Sequence, residues 1–198
     1  RSALEKTLLK TGASAEYILG PEVTRFEKRF ANFIKVKHAV GVASGTDALR
    51  LSCLALGIGL GDEVLVPANT FIATALAVHS TGATPVPIDI HSDTFLLDIK
   101  EAEKRISPRT KAIIPVHLYG YPVNMHEINE IASSNNIPII EDGAQSLGSQ
   151  YYDKMCGALG TIGCTSFYPT KVITSGEGGI ISTNDDEIYD NLLILLKS

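Results

Sequence analysis

Apolar residues along this chain recur with two periods that take turns. Val23, Phe26, Phe30 and Phe33 follow a three-to-four spacing that gives a helix one apolar face. Gly20-Pro21 starts that helix, with proline where its missing N–H costs nothing. A weaker helical pattern covers residues 1–10. Residues 38–43 read as a short strand that runs into Ser44-Gly45-Thr46 and then a helix carrying Ala48, Leu49, Leu51, Leu54 and Ala55, closed by Gly57. Strands are expected at 63–67, 84–90, 111–116, 137–141, 161–167 and 179–183. Between them the spacing predicts an apolar helix over 70–79 and a helix through 106 capped by Asp98 with Glu101. A further helix runs through 132, capped by Asn124 with Glu127, and a terminal helix is opened by Asn184 with Glu187. Residues 149–160, with Tyr151, Tyr152 and two glycines, predict an irregular or hairpin segment.

Strands alternate with helices for most of the length, and several strands are near-continuous β-branched runs, as when both faces of a sheet are covered. The expected class is α/β with a largely parallel sheet. No internal repeat, low-complexity stretch or interdomain linker interrupts the pattern.

Composition narrows the partners more than the fold. The chain has 198 residues, enough for a packed core, with 44% hydrophobic and 20% charged residues. A net charge of −5 argues against nucleic acid or an anionic membrane as the main partner. No apolar run reaches the length of a membrane span. The three cysteines, Cys53, Cys156 and Cys164, form no C-x-x-C pair, and no signal peptide is visible. The odd cysteine count and the lack of a signal peptide point to a reducing compartment, the cytoplasm. The chain opens on Arg1 and ends on Lys197-Ser198 inside a helical pattern, so it reads as a piece of a longer protein.

Three stretches carry candidate chemistry. Ser44-Gly45-Thr46-Asp47 lies between a strand and a helix, where free backbone N–H groups bind phosphate, or where a helix is simply capped. It is no P-loop, because no Gly-Lys-Ser/Thr follows. Asp142, in Glu141-Asp142-Gly143-Ala144-Gln145-Ser146, ends a buried strand at the edge where open α/β sheets bind ligands. It suits a cationic ring nitrogen, and equally a helix cap or a structural ion pair; Gln145 can reach the same ligand. Lys171, in Ser166-Phe167-Tyr168-Pro169-Thr170-Lys171, precedes the loop Ser175-Gly176-Glu177-Gly178-Gly179. Shielded from water, such an amine attacks carbonyls; on spacing alone it is a surface lysine. His117 follows a strand and either lines a pocket or packs, packing being the favoured reading. The other histidines lack metal-ligand spacing, and no metal is expected. The glycines at 57–61 follow a helix, so a dinucleotide fingerprint fails there. No G-x-S-x-G elbow is present.

A phosphate cradle, an acid for a pyridinium and a lysine for a carbonyl are together the equipment for pyridoxal 5'-phosphate. With Leu19-Gly20-Pro21-Glu22-Val23, Gly61-Asp62-Glu63-Val64, Val66-Pro67 and Pro115-Val116-His117-Leu118-Tyr119-Gly120, these stretches occur in the order of a known family. The chain resembles the DegT/DnrJ/EryC1/StrS sugar aminotransferases, a branch of the fold-type-I pyridoxal phosphate enzymes.

That resemblance implies a three-layer α/β/α large domain with a mostly parallel mixed sheet, incomplete over residues 1–198 and lacking a smaller C-terminal domain. It implies that Lys171 holds the cofactor and moves protons, and that Asp142 keeps the pyridine nitrogen protonated. Gln145 would lie near the phenolic oxygen, and Phe71, a core residue by composition, would stack on the ring. Gly45, Thr46 and Asp47 would hold the phosphate, with Ser166 adding a hydroxyl. The implied reaction moves an amino group from an amino acid, L-glutamate, to a keto group of a nucleotide-linked sugar. The implied assembly is a homodimer with a shared site. Some relatives with histidine in place of the lysine are sugar dehydratases, and Lys171 argues against that branch. The 175–179 loop resembles that of 4-aminotransferase-like members, which favours a 4-keto over a 3-keto sugar. A lyase or dehydratase on the same fold and a non-catalytic truncated fragment are the alternatives.

Overall fold

The computed structural model describes residues 2–197; Arg1 and Ser198, at the ends of the expected helical patterns, lie outside the described residues. The elements in order are α1 (Ser2–Ser14), α2 (Pro21–Ile34), β1 (His38–Val42), α3 (Gly45–Ala55), β2 (Glu63–Pro67), α4 (Ala73–His79), β3 (Thr84–Ile88) and α5 (Ile99–Arg105). They continue with β4 (Thr110–Ile113), α6 (Met125–Ser134), β5 (Ile140–Asp142), the hairpin β6 (Gln150–Tyr151) and β7 (Lys154–Met155), β8 (Ile162–Ser166), β9 (Gly179–Thr183) and α7 (Asp186–Leu195).

Local chemistry sets most helix starts. Ser44 Oγ accepts the Asp47 N–H at the head of α3, Asp98 caps α5, and Asn124 caps α6. At α7 the cap differs from expectation. Asp185 accepts the N–H groups of Glu187 and Ile188, whereas Asn184 Oδ1 accepts the Lys37 N–H across the fold. Either residue is competent to cap, and a long-range partner decides between them.

A three-stranded sheet ordered β3-β2-β4 and a four-stranded one ordered β1-β9-β8-β5 join through parallel bridges, Ile113 to Ile139 and Val116 to Asp142. The result runs β3-β2-β4-β5-β8-β9-β1. All neighbours are parallel except β9, which runs against both β8 and β1. The outer strands are protected. Pro85 and Pro87 leave β3 with fewer donors, and Gly41 N–H of β1 is taken by Glu27 Oε1 at 2.8 Å.

Alternation along the strands sorts side chains into two layers of core. Val64, Val66, Ile114, Ile140 and Ile181 join the cluster of α3, α4 and α7. Leu65, Ile113 and Ile139 face α5 and α6, while Ala39 and Ile180 face α2 on that same side. This is the three-layer α/β/α arrangement, and each fully buried Ile or Leu contributes about 1.5–3 kcal/mol through removal from water. No helix among the described residues is long and apolar enough to cross a membrane. α1 buries none of its residues.

Candidate active site

Parallel strands place their carboxyl ends along one edge, and the loops leaving β1, β2, β5 and β8 meet there. They enclose a cavity of about 530 Å3. Gly45, Thr46, Phe71, Asp142, Gln145, Ser166 and Lys171 all line it. A wider groove of about 870 Å3, lined by Ile58, Thr110 and Pro138, holds none of these residues.

The cavity floor is Asp142, which is 5% exposed. Burial pushes its carboxyl above the ordinary value, opposed by the Thr74 hydroxyl, the Ala144 N–H and the electrostatic influence of His117 and Lys171. Thr74 Oγ1 donates to Oδ2 at 2.8 Å and Ala144 N–H to Oδ1 at 3.1 Å. Neither partner is a formal cation in hydrogen-bond contact, so a cationic N–H entering the cavity would find an acid whose charge it can stabilise.

One wall presents backbone N–H donors. Gly45 and Thr46 are the first residues of α3, so their N–H groups have no partner within the helix. A Cβ at Gly45 would meet Ser166 Cβ at 2.7 Å, so only glycine permits this approach of helix to strand. Ser166 Oγ accepts the Tyr168 N–H at 3.3 Å, which leaves its own proton for a ligand. Asp47 does not line the cavity: its N–H is spent on Ser44 Oγ at 3.0 Å, and its carboxylate would oppose an anion.

Lys171, half-buried, sits on a turn clamped to β8. Its N–H donates to Tyr168 O at 2.9 Å. Phe167 takes Thr174 Oγ1 at 2.8 Å and Ser175 N–H at 3.1 Å on its carbonyl, and its own N–H reaches Gly178 O at 2.9 Å. Its ring is wedged against Phe26 and Phe30, at centroid distances of 5.3 and 6.1 Å. The lysine is thereby held by a core aromatic four residues upstream. Gln145 Oε1 accepts the Tyr119 N–H at 2.8 Å, which fixes the amide and leaves its NH2 to donate.

Phe71 lies before α4 rather than within it and is 70% exposed at the cavity mouth, so the composition-based core reading does not hold. His117 is fully buried and packs: Nδ1 accepts the Val123 N–H at 3.2 Å, so Nε2 carries the proton to Glu141 at 3.0 Å. Sequence reasoning passed over Thr70, Thr74, Cys164 and Glu177, which also line the cavity. The available signal for the first pair was two threonines one turn apart in an otherwise apolar run.

The residues that line the cavity fit a phosphorylated pyridoxal: N–H and O–H donors, a buried acid and an amine share its wall. Fold and cavity together define the large-domain type of pyridoxal-phosphate-dependent transferases. The chain belongs to the DegT/DnrJ/EryC1/StrS aminotransferase family, whose model matches residues 2–198. It is 45% identical over 196 residues to dTDP-3-amino-3,4,6-trideoxy-alpha-D-glucose transaminase of Streptomyces venezuelae, covering 98% of this chain and 52% of that protein. It is 51% identical over 174 residues to UDP-2-acetamido-2-deoxy-3-oxo-D-glucuronate aminotransferase of Pseudomonas aeruginosa, covering 87% and 48%. The crystal structure of NtdA from Bacillus subtilis with bound cofactor PMP superposes with a TM-score of 0.88 at 35% identity, covering 94% of this chain and 42% of that one. The chain spans about half the length of the curated relatives it matches.

Proposed function

We propose that this chain is the cofactor-binding large domain, incomplete here, of a cytoplasmic, homodimeric aminotransferase. The enzyme uses pyridoxal phosphate to move an amino group from an amino acid, L-glutamate, to a keto group of a nucleotide-linked sugar. The observation that carries this reading is the convergence of Lys171, Asp142 and the α3 N-terminus on one cavity. The named relatives act on dTDP- and UDP-linked sugars, and the Bacillus neighbour holds PMP, the amino form of the same cofactor.

When bound, the cofactor supplies a carbonyl that exchanges amino groups and a ring that accepts electrons. The chain's residues do the rest. The N–H groups of Gly45 and Thr46, with the Ser166 hydroxyl, hold the phosphate. Asp142 holds a proton on the ring nitrogen, where positive charge draws electrons. Gln145 donates its NH2 toward the phenolic oxygen. Phe71, at the cavity mouth, would cover the ring and limit water. Lys171 Nζ would hold the cofactor between turnovers and, when free, would take the proton from the amino donor's α-carbon. Asp47 acts on the helix start rather than on the phosphate.

The loop at 175–179 favours a 4-keto sugar, while the two relatives above are named for position 3. The test incubates full-length protein with L-glutamate and nucleotide-linked 3-keto or 4-keto sugars and identifies the products. An amino sugar with matching 2-oxoglutarate supports the proposal, and the preferred substrate fixes the position. Dehydrated sugar without amine would indicate the dehydratase alternative; no product from either would overturn the reading.

A further inference from the structure

Thr74 bonds unlike most threonines near a helix start. Such hydroxyls usually satisfy a local backbone group. Thr74, 1% exposed, instead donates to the side chain of Asp142, 68 residues away, at 2.8 Å. Thr70 Oγ1 stands 3.0 Å from Thr74 Oγ1.

Proton counting fixes the direction of this chain. An ionised carboxylate only accepts, so Thr74 gives its single proton to Asp142. The proton between the two threonines must then come from Thr70. The relay runs Thr70 to Thr74 to Asp142, from the cavity lining to its floor. The same turn carries Phe71 between the two threonines, so one short segment sets both the mouth and the floor of the cavity.

The other groups facing Asp142 are committed elsewhere. His117 is bound to Glu141 and Val123. Cys164 must donate its S–H to Ser52 Oγ, at 3.3 Å, because Ser52 spends its own proton on Ala48 O at 2.7 Å. Lys171 acts on Asp142 through charge alone. Ala144 donates from the backbone. Among the described residues, Thr74 is therefore the one side chain that hydrogen-bonds this carboxylate.

We propose that Thr74 is a positioning residue for the reaction, fixing the rotamer and the charge of Asp142 against the ring nitrogen, and that Thr70 orients the Thr74 hydroxyl. This rests on the cofactor reading above. Removing the hydroxyl leaves one carboxylate oxygen short of its donor, disfavours the ionised acid and weakens its hold on the ring proton. Turnover suffers more than substrate binding, because the ring must accept electrons in the reaction and not in the encounter.

The test uses the full-length holoprotein with Thr74→Val, Thr74→Ser and Thr70→Val. Loss of one hydrogen bond to a charged group predicts for Thr74→Val a kcat lowered about 10- to 100-fold with KM within about threefold. The cofactor Kd should rise about 10-fold and the acid limb of kcat/KM move up by about one pH unit. Thr74→Ser should return near wild-type values, and Thr70→Val should shift each readout in the same direction by less. Borohydride labelling of Lys171 in each variant shows that the cavity is built. Labelled Thr74→Val with wild-type kcat, cofactor Kd and acid limb would overturn the threonine inference alone, as would Thr74→Ser no better than Thr74→Val. A wild-type protein that takes no label would overturn the cofactor reading, and this inference with it.

Discussion

The buried Glu141 carboxylate offers a prediction that needs no ligand. Its Oε1 accepts N–H groups of Leu159 and Gly160, each at 2.7 Å. Its Oε2 accepts Gly157 N–H at 2.8 Å and His117 Nε2 at 3.0 Å. Three of these donors tie the segment before β8 to β5, beside Asp142, and His117 is the fourth. Glu141→Gln keeps the shape and removes two acceptor positions. Whichever way the amide turns, its NH2 faces two N–H donors: either Leu159 and Gly160, or Gly157 and His117. A change of histidine tautomer brings no relief, because Nδ1 already accepts the Val123 N–H. Two buried donors left unsatisfied cost about 1–3 kcal/mol each, so about 2–6 kcal/mol in all. That is a large share of a total stability of about 5–15 kcal/mol. In urea, followed by far-ultraviolet circular dichroism, an m value of about 2 kcal/mol/M converts this to a midpoint lowered by about 1–3 M. A midpoint within about 0.3 M of wild type, at unchanged m, would refute the four-donor account, since even one orphaned donor exceeds that shift.

Three further outcomes follow from the same geometry. Gly45→Ala drives a Cβ into Ser166 and should raise the cofactor Kd at least about 10-fold while costing about 1–3 kcal/mol of stability. Spectroscopic titration and thermal melting check it, and unchanged affinity would contradict the cradle. Asp142→Asn should stabilise the cofactor-free protein at neutral pH. Burial holds the folded pKa above its ordinary 3.8, so wild type loses stability as pH rises from there through the raised value. The melting difference between variant and wild type should grow across that window and then level off; a difference independent of pH would contradict it. Burial pushes the Cys53 thiol up to about 12 and that of Cys156 to about 11. Folded protein should therefore resist a thiol reagent at pH 8 and react on denaturation, and rapid reaction of the native thiols would be inconsistent with the buried core.

Much of this molecule is legible in its sequence, for local reasons. The caps Ser44, Asp98 and Asn124 act on N–H groups two or three residues away, so spacing reveals them. The β-branched runs mark strands buried on both faces, and a strand ending in acid places a carboxylate at the ligand-binding edge. That strand proved to be Ile140–Asp142, with Glu141 and Asp142 on opposite faces. What stayed hidden depends on partners distant in the chain. Nothing within Gly179–Thr183 says that β9 runs antiparallel in a sheet otherwise parallel. Asn184 looked like a cap until Lys37 arrived to claim it. His117 and Glu141 lie 24 residues apart, and Thr74 and Asp142 lie 68 apart, so neither pairing leaves a local trace. Phe71 read as core because a large aromatic in an apolar run normally is; here the run breaks before α4 and turns the ring outward.

Three distant segments line one cavity, and its amine is proposed to take a carbonyl. The most direct test is to add pyridoxal phosphate to the purified full-length protein, reduce with borohydride and map the labelled peptide. One phosphopyridoxyl group per chain is expected, on Lys171, lost in Lys171→Ala. Label on a different lysine, or none, would contradict it.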